Sequence, residues 1–317
     1  MLRWGVLGYG NIAKRFIQGL SHSQQGYLYG IASLTPSKKE ECLKKHPHIH
    51  VYENYEDILN DENIDVIYIA LRHNDHYKWS KMALLNGKAV LCEKPATLSS
   101  RQTKELCDIS QENNIFFMEA MKTRFIPLIH DIKTIINQKV LGDIIRIETS
   151  FCSQVPYDEK SYLFDHIQGG ALYDVGIYNI AFLLDFIKSS VTDLKIKSVK
   201  EYGIDVYNHI ELIFENGEKG IIECATNTYV PRQLKIEGTL GILVAEPFYR
   251  PIEAKIIYKD GRIETLYKDY QYDDFYGEIE EVHHCIRNKQ YQSQRMSHDD
   301  SLKAIQLIER IRENEQW

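Results

Sequence analysis

The sequence lacks the features that mark secreted, membrane-spanning and nucleic-acid-binding proteins. Its six cysteines are scattered over 317 residues without a Cys-x-x-Cys pair, which in a chain of this length indicates reduced thiols rather than a disulfide framework. No apolar run approaches the roughly 20 residues that span a bilayer. The net charge of −7 disfavours nucleic acid and anionic membranes as partners. We therefore expect a cytoplasmic protein that binds small molecules, with neither nucleic acid nor membrane among its partners.

Targeting signals and repeats are also missing from the sequence. The N-terminus runs directly into a strand pattern, Leu2 to Leu7, without the apolar stretch of a signal peptide. No internal repeat or low-complexity tract interrupts the chain. The hydrophobic content of 44% and the charged content of 26% are ordinary for a globular protein. The length predicts about two domains.

Strand and helix patterns alternate through the first 120 residues, which is typical of a parallel doubly wound sheet. Strands are predicted over Leu2 to Leu7, Leu28 to Ala32, Ile64 to Leu71, Ala89 to Cys92 and Ile115 to Met118. Helices are predicted over Ile12 to Leu20, from about Lys38, over Tyr77 to Leu85 and over Arg101 to Asn113, the last capped by Thr97 or Ser99. The fold class is therefore α/β.

A glycine-rich turn follows the first strand. It reads Gly8-Tyr9-Gly10-Asn11-Ile12-Ala13, a G-x-G-x-x-A pattern at the start of a helix. Such glycines let the backbone turn tightly and approach a pyrophosphate, and the helix N-terminus offers N–H groups to the phosphates. In this strand–turn–helix context the motif predicts a dinucleotide site formed by residues 8 to 12.

The end of the second strand bears on which dinucleotide binds. It reads Ser33-Leu34-Thr35-Pro36-Ser37-Lys38-Lys39 and contains no acid. An NAD-preferring site would place Asp or Glu there to hold the ribose 2′-hydroxyl, whereas hydroxyls and lysines suit a 2′-phosphate. We therefore predict NADP, with NAD as the alternative, and contacts from Ser33, Leu34 and Lys38. The same residues also read as a cap for the next helix, and both roles can hold at once.

A charged pair and a proline, Glu93-Lys94-Pro95, follow the strand Ala89 to Cys92 abruptly. In open α/β sheets, ligands bind just beyond the carboxyl ends of the strands, so Lys94 is predicted to face the ligand crevice. The alternative is a solvated ion pair at a strand end, which is the ordinary place of surface charge.

Strands dominate the second half of the sequence. They are predicted over Ile144 to Cys152, Ile196 to Val206, Asn208 to Glu215, Gly220 to Thr228, Gln233 to Gly238, Gly241 to Glu246 and Ala254 to Tyr258. Many alternate apolar with polar residues, which favours an antiparallel sheet with one covered face. Further helices are predicted over Ile129 to Asn137, Phe275 to Arg287 and Ser301 to Arg312. The second domain is thus an α/β domain with a large, mainly antiparallel open sheet.

One predicted helix, residues 169–180, interrupts these strands and carries Asp174 and Tyr178 four residues apart, on one face. A carboxylate and a phenol there can move protons if a cation lowers the pKa of the phenol. Alternatively, Tyr178 is one of 21 tyrosines and packs in a core. Two histidine-bearing stretches, residues 46–50 and 283–285, lack a complete ligand set, so no metal site is predicted.

Several motifs, in this order along the chain, resemble those of the Gfo/Idh/MocA family of oxidoreductases, and the resemblance covers essentially the whole length. The motifs are Gly8-x-Gly10-x-x-Ala13, Ile69-Ala70 with His76, Glu93-Lys94-Pro95, Glu119-Ala120-Met121 with Arg124-Phe125, Gly169 to Tyr178, and the C-terminal Glu278 to Ile286 followed by Met296-Ser297. The Asp-x-x-x-Tyr form is similar to the branch that holds glucose–fructose oxidoreductase and dimeric dihydrodiol dehydrogenase.

The resemblance implies a Rossmann domain over residues 1–120 and a substrate-binding and dimerisation domain over residues 121–317. It implies hydride transfer between NAD(P) and a sugar, polyol or related alcohol or carbonyl compound, in a homodimer or a dimer of dimers. By position in the motifs, Lys94 acts at the cofactor and substrate, Tyr178 carries the proton, and Asp174 is the supporting acid. Further implied cofactor contacts are Leu71, Arg72, His73, His76 and Glu93, and further substrate contacts are Lys122 and Arg124.

Two departures from the family pattern concern the ligands. Leu71-Arg72 stands where the family often has Thr-Pro, and Lys122 stands where the dihydrodiol branch tends to have an aromatic residue. A lysine there predicts a more polar, even anionic, substrate. Two other functions remain open: a dinucleotide-binding regulator without turnover, which intact Lys94, Asp174 and Tyr178 argue against, and an enzyme that oxidises and re-reduces one substrate with a bound cofactor, giving net hydrolysis or isomerisation.

Overall fold

The computed structural model describes residues 1–314, which form two compact units. Unit 1 is Met1–Lys122 together with Gln271–Leu302. Unit 2 is Thr123–Tyr270 together with the chain from Lys303 onward. The domain division at residues 120 and 121 stays a prediction, and the structure groups one later segment, Gln271–Leu302, with the N-terminal unit.

Helices and strands alternate early in the chain, and strands prevail later. The helices are α1 (Asn11–Leu20), α2 (Pro36–Lys45), α3 (Tyr55–Asn60), α4 (His73–Leu85), α5 (Ser100–Asn113), α6 (Pro127–Asn137), α7 (Ile177–Phe186), α8 (Tyr276–Arg287) and α9 (His298–Asn314). The strands are β1 (Leu2–Leu7), β2 (Gly26–Ala32), β3 (His50–Tyr52), β4 (Val66–Ile69), β5 (Ala89–Glu93), β6 (Phe117–Ala120), β7 (Ile144–Cys152), β8 (Val191–Glu201), β9 (Ile204–Phe214), β10 (Lys219–Ala225), β11 (Leu234–Gly238), β12 (Gly241–Ala245), β13 (Glu253–Tyr258) and β14 (Ile263–Tyr267).

Unit 1 is built on a parallel sheet with the strand order β3-β2-β1-β4-β5-β6. The residues of β4 and β5 are buried throughout, because helices cover both faces of a doubly wound sheet and leave no solvated side. The strand order reverses between β1 and β4, and ligands of such sheets bind at the carboxyl ends of the strands next to that reversal. The predicted α/β doubly wound sheet is confirmed.

Unit 2 is built on an eight-stranded sheet with the order β14-β13-β12-β11-β7-β10-β9-β8. Its pairs are antiparallel except for β7 with β10. Alternate residues of β11 and β12 are buried and half-buried, because one sheet face is covered by the unit's own core and the other is not. The predicted large, mainly antiparallel open sheet is confirmed.

The predicted strand from Ile196 to Val206 is wrong. The structure divides it between β8 and β9, which are joined by a tight turn at Tyr202 and Gly203. Gly203 has a φ of +78°, a conformation that glycine adopts without steric cost. Because apolar residues lie on both sides of this turn, the pattern of apolar residues did not reveal it.

Several element bounds also differ from the sequence predictions. Helix α4 begins at His73, four residues earlier than predicted, so the polar segment before Tyr77 is the first helical turn rather than a loop. Helix α3 and the short strands β3 and β14 were not predicted, since elements of six or fewer residues repeat the pattern of apolar residues too few times to be recognised. Ser99 is the N-cap of α5, and its side chain accepts from the Gln102 N–H at 3.4 Å.

Two further observations concern membrane-spanning helices and the cysteine side chains. Within residues 1–314, no helix has both the length and the apolar character needed to cross a bilayer. All six cysteines are free thiols with buried side chains.

Candidate functional site

The glycine-rich turn lies at the carboxyl end of β1. Gly8 has a φ of +90°, and a Cβ there would lie 2.5 Å from the Ala70 carbonyl oxygen, so only glycine fits. A Cβ on Gly10 would meet no atom within 4 Å, which leaves open space beside the first turn of α1. That turn has no side-chain cap and no acidic residue. Its N–H groups and partial positive charge therefore suit a phosphate.

His76 connects two neighbouring strand ends. Its Nδ1 lies 2.8 Å from the Pro95 carbonyl oxygen, and its Nε2 lies 3.2 Å from the Leu71 carbonyl oxygen. Complete burial lowers the pKa of His76 to about 4, so the ring is neutral at physiological pH and donates one N–H. The imidazole thereby fixes the backbone after β4 against the backbone after β5. Arg72 is the extended N-cap of α4, and His73 is buried in its first turn.

The carboxyl end of β5 carries Glu93 and Lys94. Glu93 is buried, and its carboxylate accepts from the Tyr68 hydroxyl at 2.5 Å. Burial raises the pKa of Glu93. Lys94 is partly exposed. Glu119, at the end of neighbouring β6, accepts from the Ala96 N–H at 2.9 Å. Two buried carboxyl groups therefore hold the backbone on either side of Lys94-Pro95.

Lys122 forms a buried ion pair in unit 1. Only 6% of the residue is exposed, and its Nζ lies 2.8 Å from Asp274 Oδ2 and 4.6 Å from the centre of the Phe275 ring. Arg15 of α1 pairs with the other Asp274 oxygen at 2.5 Å. Burial of Asp274 is outweighed by these two cations, which hold the pKa of its carboxyl below the usual value. Lys122 and Arg15 therefore share one carboxylate within unit 1.

Glu278 of α8 is a buried acidic residue of unit 1 whose side chain lacks hydrogen-bond partners among the described residues. It is 0% exposed, and neither carboxyl oxygen has a hydrogen-bond partner within residues 1–314. Burial first, and then the nearby carboxyl of Glu93, raise its pKa well above the usual value. The favourable charge of Lys122 only partly opposes this. Burial therefore favours the protonated form of the Glu278 carboxyl.

The end of β2 places the predicted ribose contacts. Ser33 is buried, and its hydroxyl accepts from the Thr35 N–H at 3.4 Å. Leu34 is exposed, and Lys38 is exposed on the first turn of α2. Lys39 pairs with Glu53. Of Lys38 and Lys39, Lys38 therefore has the ammonium group that is more available to bind a phosphate.

In unit 2, the segment with Asp174 and Tyr178 begins as a π-helical turn, Leu172–Gly176, and continues as α7. Such turns are rare and occur frequently at functional sites. Asp205 supports the start of this segment by accepting from the Leu172 N–H at 2.7 Å. Gly170, with a φ of +103°, permits that approach, because a Cβ would lie 2.1 Å from Asp205 Oδ1. The helix predicted over residues 169–180 is thus partly π-helical.

Tyr178 lies among aromatic rings. It is 7% exposed, with ring centroids 5.6 Å from Phe151 and 6.1 Å from Tyr249. Asp174 is half-buried on the preceding π turn. Tyr178 is thus packed and keeps an exposed fraction, which is compatible with both interpretations of it.

Arg124 is a buried member of unit 2. Its guanidinium lies 3.2 Å from Asp185 Oδ1 and donates to the Ala181 carbonyl at 3.2 Å. Lys133 pairs with the other Asp185 oxygen. The Arg124 side chain is therefore anchored to α7.

The predicted site residues thus fall into two groups. Unit 1 brings the glycine turn, the Leu71–His76 segment and Glu93-Lys94 to the carboxyl ends of β1, β4 and β5. Unit 2 carries Arg124, Asp174 and Tyr178. The sequence analysis assigned no role to Tyr68, Glu119, Glu278 or Asp205. The Glu119 role had a signal, because Glu93 and Glu119 both lie at strand ends.

Comparison with known proteins identifies the family. An oxidoreductase family with an NAD-binding Rossmann fold, GFO/IDH/MocA, matches residues 2–121, and the C-terminal domain of the same family matches residues 129–244. Trans-1,2-dihydrobenzene-1,2-diol dehydrogenase of Xenopus laevis is 31% identical over 78% of this chain and 76% of its own length. The NADP(+)-dependent scyllo-inositol 2-dehydrogenase IolU of Bacillus subtilis is 24% identical over 98% of this chain and 96% of its own length.

A solved structure shows the same fold. The 3-ketoreductase KijD10 of Actinomadura kijaniata, in complex with NADP and TDP-benzene, superimposes with a TM-score of 0.88 at 22% identity, covering 98% of this chain and 97% of its own. Both family domains and a relative above 30% identity agree with the glycine turn and the Glu93-Lys94 strand end. The chain therefore belongs to the Gfo/Idh/MocA family of NAD(P)-dependent oxidoreductases.

Proposed function

We propose that this enzyme transfers a hydride between NADP(H) and a carbon bearing a hydroxyl or keto oxygen in a sugar or polyol. The observation that carries the proposal is the carboxyl edge of unit 1. There the open turn at Gly10 and the Glu93-Lys94 pair follow β1 and β5, which flank β4.

A dinucleotide fits the residues present at this edge. The first turn of α1 offers N–H groups without a competing side-chain cap or carboxylate, and a pyrophosphate requires both conditions. When bound, the nicotinamide accepts or supplies the hydride. Gly8 and Gly10 allow the backbone to approach the phosphates, and His76 holds the flanking strand ends in register.

Preference for the 2′-phosphorylated cofactor rests on the end of β2. Ser33 offers a hydroxyl and Lys38 an ammonium that forms no ion pair within the described residues, and no acid stands at the strand end. Two similar proteins are named with NADP, the Bacillus subtilis dehydrogenase and KijD10. Tighter binding of NAD(H) than of NADP(H) in a fluorescence titration would contradict this preference.

The catalytic roles follow from side-chain chemistry. We propose that Tyr178 exchanges a proton with the substrate oxygen while the hydride moves, and that the Lys94 ammonium stabilises the phenolate form. Asp174 orients the substrate or a neighbouring donor. Lys94 belongs to unit 1 and Tyr178 to unit 2.

The named relatives are a dihydrobenzenediol dehydrogenase, a scyllo-inositol 2-dehydrogenase and a 3-ketoreductase, and we propose a hydroxylated ring as the substrate of this chain. Lys122 and Arg124 remain predicted substrate contacts. Lys122 shares the Asp274 carboxylate with Arg15, and Arg124 shares the Asp185 carboxylate with Lys133 and Lys188, so cations outnumber carboxylates in both groups.

One assay separates this function from the alternatives. Purified protein is mixed with NADPH and a panel of keto sugars and inosose-type ketones, and NADPH oxidation is followed by absorbance. Turnover on one class of ketone is the expected result. Dinucleotide binding without turnover on any of them would favour the regulator, and release of tightly held dinucleotide on denaturation would favour the redox-neutral enzyme.

We infer that the unit 2 sheet mediates assembly into a homodimer or a dimer of dimers. Its uncovered face carries a cross-strand row of isoleucines, Ile242, Ile257 and Ile263, of which the last two are 40% and 64% exposed. A second copy would cover this row in a two-fold arrangement. Light scattering should report a dimer or a multiple of it, and Ile257→Lys should shift it toward monomer.

A cytoplasmic location is also proposed. It is supported by the six free, buried thiols, which a reducing compartment preserves. Cell fractionation of the native host would test it.

A further inference from the structure

Unit 2 contains a cavity that none of the proposed catalytic residues line. It has a volume of about 490 Å³ and lies where β7 and β10 end, beside the turn between β8 and β9. That volume lies within the usual range for small-molecule sites, roughly 300–1,000 Å³. Its walls include residues of three separate segments, 154–164, 201–206 and 226–227.

One wall of the cavity is aromatic. Tyr157 and Tyr202 stack with ring centroids 4.0 Å apart, and Phe164 meets the Tyr157 ring edge-on at 5.0 Å. Both tyrosines are 51% exposed. An isolated exposed aromatic residue is ordinary, but a stacked pair beside a concave surface offers a ready apolar platform.

The other side of the cavity is polar and rich in acceptors. Glu201 accepts from the Asn227 side-chain amide at 3.1 Å. The Asn227 carbonyl oxygen and the hydroxyl of Thr226, a residue only 3% exposed, have no hydrogen-bond partner within residues 1–314. Both of these atoms are closed to solvent, so the exposed carboxylate of Glu201 is the acceptor that this wall offers to a ligand in the cavity.

The charge at the cavity excludes some ligand classes. No Lys, Arg or His is among its described lining residues, and Glu201 supplies a carboxylate. Phosphates and carboxylates would therefore be repelled. A flat or puckered ring with C–H faces for the tyrosines and several O–H donors for the acceptors fits all of these features.

We propose that this cavity binds a neutral hydroxylated ring, a pyranose or a cyclitol, at a site separate from Lys94, Asp174 and Tyr178. The inference stands on the cavity alone and does not rest on the proposed reaction. In the enzyme, such a site would hold a non-reacting ring of an extended substrate or a second small sugar.

Saturation-transfer NMR on the full chain tests the proposal, with methyl β-D-glucopyranoside and myo-inositol as probes at millimolar concentration. The wild type should transfer saturation from its aromatic protons to at least one probe. Tyr202→Asn removes the ring and keeps a residue that tolerates the positive φ of +55° at this position. We expect it to weaken binding roughly three- to tenfold, which corresponds to the binding free energy of one aromatic contact.

Two matched variants complete the experiment. Tyr267→Asn removes a tyrosine of unit 2 that is 63% exposed and does not line the cavity, and it should bind like the wild type. Tyr178→Phe should also retain binding, which separates this site from the proposed catalytic one even if the enzyme shows no turnover. The proposal is overturned if the wild type binds neither probe, if Tyr202→Asn binds as tightly as the wild type, or if Tyr178→Phe abolishes binding.

Discussion

Asp185 and Asp205, two buried carboxyl groups of unit 2, each have several partners, whereas Glu278, a buried carboxyl group of unit 1, has none among the described residues. Asp185 pairs with Arg124, Lys133 and Lys188. Asp205 accepts from the Leu172 N–H and from the Asn208 side chain, each at 2.7 Å. In unit 1, Glu278 is as deeply buried and has no hydrogen-bond partner among the described residues.

This difference shows that a buried carboxyl group of unit 1 lowers the stability of the fold. A satisfied buried carboxylate holds helices and strands in place, whereas a bare one costs free energy that the rest of the unit must offset. Such costs concentrate near functional sites. Glu278 lies in the electrostatic range of Glu93, which precedes Lys94, so the comparison agrees with a reaction site at that edge of unit 1.

The largest expected effect comes from removing the proposed reacting groups, one from each unit. Tyr178→Phe removes only a hydroxyl, so fold and cofactor binding should persist while kcat falls by roughly two to four orders of magnitude. Lys94→Ala should cost a similar factor. The double variant should lose much less than the product of the two factors, because groups that act as a unit are not additive. Steady-state kinetics measure the two single variants and the double variant, with the substrate that the NADPH oxidation assay identifies.

The control for this experiment is NADPH affinity, which should change little in Tyr178→Phe. Near-wild-type turnover of that variant would show that another group carries the proton, and Tyr178 would then be a packing residue of unit 2.

The second effect concerns stability in unit 2. Arg124→Met removes one partner of a buried carboxylate and should lower the free energy of unfolding by about 3 kcal/mol, the lower end of such losses, since Lys133 still faces Asp185. Urea unfolding measures it. Arg262→Met is the matched control: its side chain is 63% exposed, so its pair with Asp260 should contribute under about 1 kcal/mol. Equal losses in the two variants would show that the buried pair of Arg124 with Asp185 contributes no more stability than an exposed pair.

A third, smaller effect concerns cofactor choice in unit 1. Ser33→Asp places a carboxylate where a 2′-phosphate would bind and should move the NADP-to-NAD affinity ratio by about tenfold toward NAD, equivalent to roughly 1.4 kcal/mol. Paired fluorescence titrations with both cofactors measure the ratio. An unchanged ratio would mean that the ribose lies away from the end of β2.

A further effect is a pH dependence at Glu278. Its pKa is raised in the folded protein, so the stability that it contributes is fully present below about 4.5, its unfolded value, and is lost as the pH rises toward the folded pKa. Glu278→Gln has no such proton to lose. The stability of the variant relative to the wild type should therefore increase between pH 5 and pH 8, by at most about 1.4 kcal/mol per pH unit.

Thermal unfolding at several pH values within that range tests this effect. Glu313→Gln, an exposed position on α9, is the control and should show a flat difference. A flat difference for Glu278→Gln as well would mean that the Glu278 carboxyl is already ionised in the folded state and has a partner in solution.

Much of the fold follows from local sequence patterns. The alternation of strands and helices, the glycine turn and the Ser99 cap each depend on a few neighbouring residues, whose spacing and backbone preferences do not require the rest of the chain. The predictions were wrong where local signals were weak. A Tyr-Gly turn inside a segment of mixed apolar and polar residues ended β8 before Val206, and the polar residues from His73 to His76 formed a helical turn without a side-chain N-cap.

The candidate site divides in the same way. The sequence determined Gly8, Gly10 and the strand end at Glu93-Lys94, because a motif and its flanking pattern are contiguous. Only the tertiary structure decided that His76 joins two strand ends, that Glu119 holds the backbone after Pro95, that Lys122 pairs with Asp274, and that Glu278 has no hydrogen-bond partner among the described residues. These facts depend on residues up to 152 positions apart, and burial and charge balance arise only when distant segments pack together.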